Sequence, residues 1–333
     1  MNTNPTMQAL VVESAGGPFV RATLPRPVPA AGEVLVRIHA SGVNPLDTKI
    51  RAGAAAHARH PLPAILGIDM AGVVEQVGPG VTAFTPGDAV YGMTGGVGGV
   101  PGSLAEYAAV DARLLAKKPA ILSMREAAAL PLAAITAWEG LVDRANVRPG
   151  QNVLVQGGGG GVGHIAAQLA RAYGAAVFAT DSGAKAEYLR GIGVTPIDYT
   201  RETVADYVAQ HTGGAGFDLV FDTGGGAVLD ASFAAVRRFG HVVSALGWGS
   251  HALAPLSFRA GTYSGVFTLL PLLTGEGREH HGEILREVAR LTDCGKLAPR
   301  LDPRRFGWDE IEAAHAAVAG GTAAGKVVVE APL

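Results

Sequence analysis

The stretch Val153-Leu-Val-Gln-Gly-Gly-Gly-Gly-Gly-Val-Gly-His-Ile-Ala-Ala-Gln-Leu-Ala-Arg-Ala-Tyr173 reads as strand, glycine turn and helix in immediate succession. Val153, Leu154 and Val155 form a short apolar run launched by the turn Arg148-Pro149-Gly150, the pattern of a parallel strand buried on both faces. Past the glycines, Val162, Ile165, Ala166, Leu169, Ala170 and Tyr173 fall on one face of a helix. The turn contains Gly158-x-Gly160-x-x-Gly163 with Gly161 and Val162 inside it. In a dinucleotide site the first glycine permits a tight turn, the second lets the backbone approach a pyrophosphate, and the third lets the helix lie close to the strand. The helix N-terminus then directs free N–H groups at the phosphates. A run of glycines matches many patterns, so context decides. A second apolar run, Ala176-Val-Phe-Ala-Thr180, ends at Asp181, about 20 residues on, where the fingerprint expects an acid.

Working outward, 333 residues predict two domains, and 48% hydrophobic content supplies their cores. A net charge of −2 offers no basic field for nucleic acid or an anionic membrane. The start, Met1 to Met7, lacks the features of a signal peptide, and the run Ala127 to Trp138 is too short to span a bilayer. Its single cysteine, Cys294, excludes an internal disulfide framework and predicts a reducing, cytoplasmic setting.

Before the glycine turn the chain is β-rich. Ala9–Val12, Glu33–Ile38, Ala71–Val77, Ala89–Tyr91 and Leu104–Val110 are short runs bounded by Gly, Pro or Asp. From Ser123 to Gly140 the pattern turns helical, marking entry into the second domain. Strand and helix units then alternate over 153–173, 176–190 and Phe217–Arg238, followed by the strand His241–Leu246, which predicts a doubly wound parallel sheet. The tail carries helical stretches Glu283–Leu291 and Asp309–Val318 and a last strand Lys326–Glu330, and is expected to return to the first domain.

The chain resembles the medium-chain dehydrogenase/reductase superfamily in its zinc-free, quinone oxidoreductase branch. The resemblance runs from Gln8 to Glu330. Its specific pieces are Ala40-Ser-Gly-Val-Asn-Pro-Leu-Asp-Thr-Lys-Ile-Arg-Ala-Gly53, Gly67-Ile-Asp-Met-Ala-Gly-Val-Val-Glu-Gln-Val-Gly-Pro-Gly-Val81, Pro86-Gly-Asp-Ala-Val-Tyr91, the glycine fingerprint and Gly325-Lys-Val-Val-Val329. It implies an α/β architecture: a GroES-like β domain from residues 1–125 and 268–333, a Rossmann domain from 126–267, and a substrate cleft where they meet.

The superfamily's alcohol dehydrogenases use a catalytic zinc, which needs three protein ligands and an open position. Where they carry a cysteine after Gly-Val this chain has Asn44, and where they carry Gly-His-Glu it has Gly67-Ile68-Asp69. The four-cysteine structural lobe is missing too. His280-His281 reads as part of a polar loop, and His39 and His164 as packed or surface residues. No metal is expected. Alcohol oxidation needs an alkoxide that zinc would stabilise, whereas a quinone or activated enone takes up charge through its own conjugation. Hydride chemistry belongs to the nicotinamide, leaving position and electrostatics to the protein. Neither GxSxG nor GxxxxGK[ST] occurs, so hydrolase and nucleoside-triphosphatase chemistry have no foothold.

The resemblance implies a catalytic set of Asn44, Asp47, Lys49 and Thr136. Asn44 takes the lost zinc-ligand position, where it can hydrogen-bond a substrate carbonyl, and Thr136 is expected near the nicotinamide ribose. Asn-Pro-Leu-Asp is also a good turn by itself. Several relatives carry tyrosine where Lys49 stands. Lys185 and Tyr199 resemble the family's phosphate-contacting pair and favour NADPH. Asp181 favours the ribose diol of NADH. NADP(H) is expected over NAD(H), with Phe267 and Lys326 completing the cofactor set. Residues 255–267 resemble the edge strand through which the family extends one sheet across a two-fold axis, which implies a homodimer. The competing reading is a dinucleotide-binding redox sensor or partner-binding protein with little turnover.

Overall fold

A computed structural model describes residues 5–332. The first residues of the stretch Met1 to Met7, read above for a leader, lie outside it, as does Leu333. Contacts divide the chain into two units, one holding residues up to Leu132 with Leu269–Asp293 and Pro299 onward, the other Ala133–Thr268 with Cys294–Ala298.

The first unit is antiparallel. β1 (Thr6–Val12) pairs along its length with β2 (Phe19–Pro25). The sequence did not announce β2, because this outer strand exposes most of its residues and carries no clean apolar alternation. β3 (Glu33–Val43) is the spine of the larger sheet. β4 (Ala64–Ile65) joins β1, while β5 (Asp69–Val77) and then β6 (Ala89–Met93) extend the sheet from β3. β7 (Tyr107–Asp111) lies on the other side of β3, and β8 (Leu115–Lys117) pairs with β6. Alternate residues of these strands meet in a core of Val34, Val36, Ile38, Met70, Val74, Val90 and Leu115.

β3 runs directly into α1 (Pro45–Arg51), so Asn-Pro-Leu-Asp is a helix start and not the isolated turn its composition suggested. Asn44 is the extended N-cap, Pro45 takes the first helical position where its missing N–H costs nothing, and the Asp47 carboxylate accepts the Asn44 N–H at 2.8 Å.

The second unit is a six-stranded, all-parallel sheet. Its strands are β9 (Asn152–Gln156), β10 (Ala176–Asp181), β11 (Thr195–Asp198), β12 (Phe217–Asp222), β13 (Val236–Ser244) and β14 (Thr262–Gly265), in the spatial order β11-β10-β9-β12-β13-β14. Counted within the unit this is the doubly wound order 3-2-1-4-5-6, whose direction reverses between β9 and β12, where such sheets bind ligands beyond their carboxyl ends. Leu154, Phe217, Val220, Phe233 and Val242 build the core with Tyr207 from the helix Val204–Thr212. That helix falls outside the alternating units expected from the sequence. It starts on a Thr203/Asp206 capping pair. The expected long edge strand over 255–267 resolves into a short helix, Ala254–Ser257, and the four-residue β14.

The tail returns to the first unit. β15 (Phe306–Gly307) pairs with β16 (Val327–Glu330), and β16 lies antiparallel to β3 with Val327 opposite Val43. The helix expected from Glu283 begins earlier and spans Arg278–Asp293. His280 and His281 are therefore helical, not part of a polar loop, and His281 is buried, which pushes its imidazole down to about 4.

Candidate active site

The glycine turn joins β9 to α2 (Gly163–Ala172). The residue that needs glycine for its conformation is Gly157, at φ +75°, one position before the fingerprint's first glycine. Gly158 is required for a different reason. A Cβ there would stand 2.3 Å from the Cβ of Ala179 on β10, and one on Gly163 would stand 2.1 Å from the Gly157 carbonyl oxygen. The turn is thus packed tightly between strand and helix, as the fingerprint demands. Gly161 is exposed, and the N–H groups of Gly161, Val162 and Gly163 face no hydrogen-bond acceptor among the described residues, which fits this helix start to a pyrophosphate.

Asp181 ends β10 with its carboxylate on this turn, accepting the N–H of Gly159 at 2.8 Å and that of Ser182 at 2.8 Å. Lys185 stands 3.3 Å from the same carboxylate. Tyr199 is exposed in the loop after β11. Thr136 is buried in the helix Pro131–Trp138, and half-buried Phe267 meets the Trp248 ring edge-on.

In the first unit a polar cluster forms around Asn44. Its Nδ2 donates to Asp69 Oδ2 at 3.0 Å, its Oδ1 accepts from the Lys326 ammonium, and Lys326 Nζ lies 3.8 Å from Asp69 Oδ2. The other Asp69 oxygen accepts the N–H of Leu132 at 2.8 Å. Asn44 and Asp47 are 1% exposed, Asp69 0% and Lys326 6%, so these groups exchange water for one another. Burial raises the Asp69 carboxyl and lowers the Lys326 ammonium, each opposed by the other's charge. Burial likewise lifts Asp47 to about 7, against the backbone N–H groups of Asn44 and Gly67. Lys49 is exposed on α1 and takes no part in the cluster.

Of the expected residues, then, Asn44, Asp47 and Lys326 come together, with Lys326 at the amide of Asn44. Gly158, Gly160, Gly161, Val162, Gly163, Asp181 and Lys185 meet at the turn. Sequence reasoning missed Gly157, Asp69 and the Leu132 N–H. For Asp69 the signal was present, a lone acid in the apolar run Ile68-Asp-Met-Ala-Gly-Val-Val74.

The residues here do not fit the zinc of the superfamily's alcohol dehydrogenases. An amide and the aliphatic side chain of Ile68 hold two ligand positions, and the Lys326 ammonium already stands at the Asp69 carboxylate. Among the described residues no group of three or more His, Cys, Asp or Glu could hold a metal ion.

Family profiles match over residues 30–120, "Alcohol dehydrogenase GroES-like domain", and residues 193–329, "Zinc-binding dehydrogenase". The chain is 38% identical to a 2-methylene-furan-3-one reductase of Solanum lycopersicum, covering 89% of this chain and 71% of that one. It is 36% identical to an NADPH-dependent alkenal/one oxidoreductase, chloroplastic, of Arabidopsis thaliana (89% and 72%). With the quinone oxidoreductase of Homo sapiens it shares 30% identity over 97% of both chains. The chain belongs to the medium-chain dehydrogenase/reductase superfamily. Within it, the chain stands in the quinone oxidoreductase branch. The crystal structure of an alcohol dehydrogenase superfamily protein from Novosphingobium aromaticivorans has the same fold, with a TM-score of 0.96 at 63% identity over 97% of this chain and 99% of that one. The first unit is thus a GroES-like domain and the second a Rossmann sheet. No helix among the described residues is long and apolar enough to cross a membrane.

Proposed function

We propose that this oxidoreductase transfers a hydride from NADPH to the conjugated carbon of a quinone or an α,β-unsaturated carbonyl compound, without a metal. The observation that carries the reading is the Asn44 cluster. A superfamily position that elsewhere ligates zinc holds an amide whose second Nδ2 hydrogen is uncommitted among the described residues, a donor suited to a carbonyl oxygen. The relatives, an alkenal/one oxidoreductase, a furanone reductase and a quinone oxidoreductase, support the same substrate class.

When bound, the dinucleotide supplies the hydride. The turn from Gly157 to Gly163 would hold its pyrophosphate, and Thr136 and Phe267 would border the nicotinamide end. Asn44 would hold the substrate carbonyl and stabilise the charge that grows on its oxygen as the conjugated carbon is reduced. Lys49, exposed on the helix that Asn44 caps but outside the cluster, would serve that oxygen as second donor only by the family resemblance. One proton, from Lys49 or water, completes the product. Lys185 and Tyr199 favour the 2′-phosphate of NADPH, and Asp181 opposes it. The dinucleotide named for the Arabidopsis relative supports NADPH.

The open edge of β14 and the exposed side chains of Trp248, Phe258 and Tyr263 in the segments around it support a homodimer. The free thiol of Cys294 suits a cytoplasmic setting. The test is oxidation of NADPH and NADH with a small quinone and with an enone. Binding of the dinucleotide with no turnover on either acceptor would replace this reading by the sensor.

A further inference from the structure

Asn44 is useful as a donor only if its amide faces one way, and a free side-chain amide can turn over. Here it is clamped between opposite charges, with the Lys326 ammonium at Oδ1 and the Asp69 carboxylate at Nδ2. Turned over, the amide would set NH₂ against an ammonium and C=O against a carboxylate, two repulsive contacts where burial excludes the water that would screen them. The clamp is itself held. Asp69 is fixed by the N–H of Leu132, and Lys326 is delivered by β16, whose pairing of Val327 with Val43 sets it beside Asn44.

We propose that Lys326 is a positioning residue of the carbonyl site and not a contact of the dinucleotide: with Asp69 it locks the Asn44 amide so that one N–H is presented to the substrate oxygen. The inference rests on the role given to Asn44 above. It assigns to a buried lysine a task that Asn44 cannot perform alone, since a donor misdirected in the ground state must be reoriented before it can stabilise charge in the transition state.

The test compares Lys326→Met, Lys326→Met/Asp69→Asn and the wild type. For Lys326→Met, kcat with a small quinone or enone is expected to fall about 30- to 100-fold, while the Kd for NADPH, read by fluorescence, stays within about twofold. In protein labelled with ¹⁵N-asparagine the others, Asn2, Asn4, Asn146 and Asn152, are few, and the Asn44 pair is identified by its loss in Asn44→Ser. In the wild type its two Nδ2 hydrogens should be well separated and slow to exchange. In Lys326→Met they should move together and exchange faster.

Because Lys326→Met leaves a buried carboxylate uncompensated, the double variant removes both charges. Its melting temperature should return toward the wild-type value while kcat stays low. Recovery of kcat together with stability would overturn the proposal by making Lys326 merely structural. So would a tenfold rise in the NADPH Kd with kcat preserved, which would return Lys326 to the cofactor. If the wild type reduces no quinone or enone, the proposed function fails, yet the Asn44 resonances still decide whether Lys326 locks the amide.

Discussion

Replacing Asp181 with serine should shift cofactor preference toward NADPH. The fingerprint places an acid at the end of the second strand on the ribose of the adenosine, where it accepts from a diol and repels a 2′-phosphate. The Asp181 carboxylate is held at the glycine turn, since the N–H groups of Gly159 and Ser182 bind its two oxygens at 2.8 Å each. Its side chain is 10% exposed and that of its partner Lys185 35%, which sets the effective dielectric between that of water and a partly buried site. Two like charges brought to about 4 Å then repel by about 1 to 4 kcal/mol, or about one to three decades in relative affinity. Asp181→Ser removes that repulsion and also frees Lys185 to face the phosphate. The ratio of kcat/KM for NADPH over NADH, measured side by side, should rise at least about tenfold. The same substitution strands the Gly159 N–H, costing about 1 to 3 kcal/mol in denaturant unfolding. Loss of stability with an unchanged cofactor ratio would refute the ribose assignment and leave Asp181 as a brace for the glycine turn alone.

Gly158→Ala should weaken dinucleotide binding by at least about tenfold and destabilise the second unit by about 1 to 3 kcal/mol, because its Cβ would stand 2.3 Å from that of Ala179; titration calorimetry and urea unfolding check both. Asp47, lifted by burial from 3.8 to about 7, holds its proton longer folded than unfolded. Its contribution to stability is therefore complete below about pH 4 and lost as pH rises through 7. The urea midpoint of the wild type should drop against that of Asp47→Asn between about pH 4 and 7, and a constant difference would contradict the assignment. Chelator should leave activity intact and elemental analysis should find no stoichiometric zinc, since Asn44 and Ile68 stand at ligand positions; one zinc per chain would sink this.

Much of the Rossmann unit was legible because its signals are local. A buried parallel strand, a glycine turn and an amphipathic helix each write a short-period pattern into consecutive residues, as Val153 to Tyr173 does. The helix Val204–Thr212 was missed although Thr203 and Asp206 announce its start, and β2 was missed because an exposed outer strand needs no apolar alternation. His280 and His281 look solvated in sequence, and only the packing of their helix shows which of them is buried. The Asn44 cluster lay beyond reach for a deeper reason. Its bonds join residues separated by 25 positions for Asp69 to Asn44, 63 for Leu132 to Asp69 and 282 for Lys326 to Asn44. Sequence determined that an amide replaces a metal ligand and that a lysine precedes the last strand. Only the antiparallel register of β16 on β3 decided that this lysine meets that amide, because strand pairing is a long-range choice that no local periodicity records.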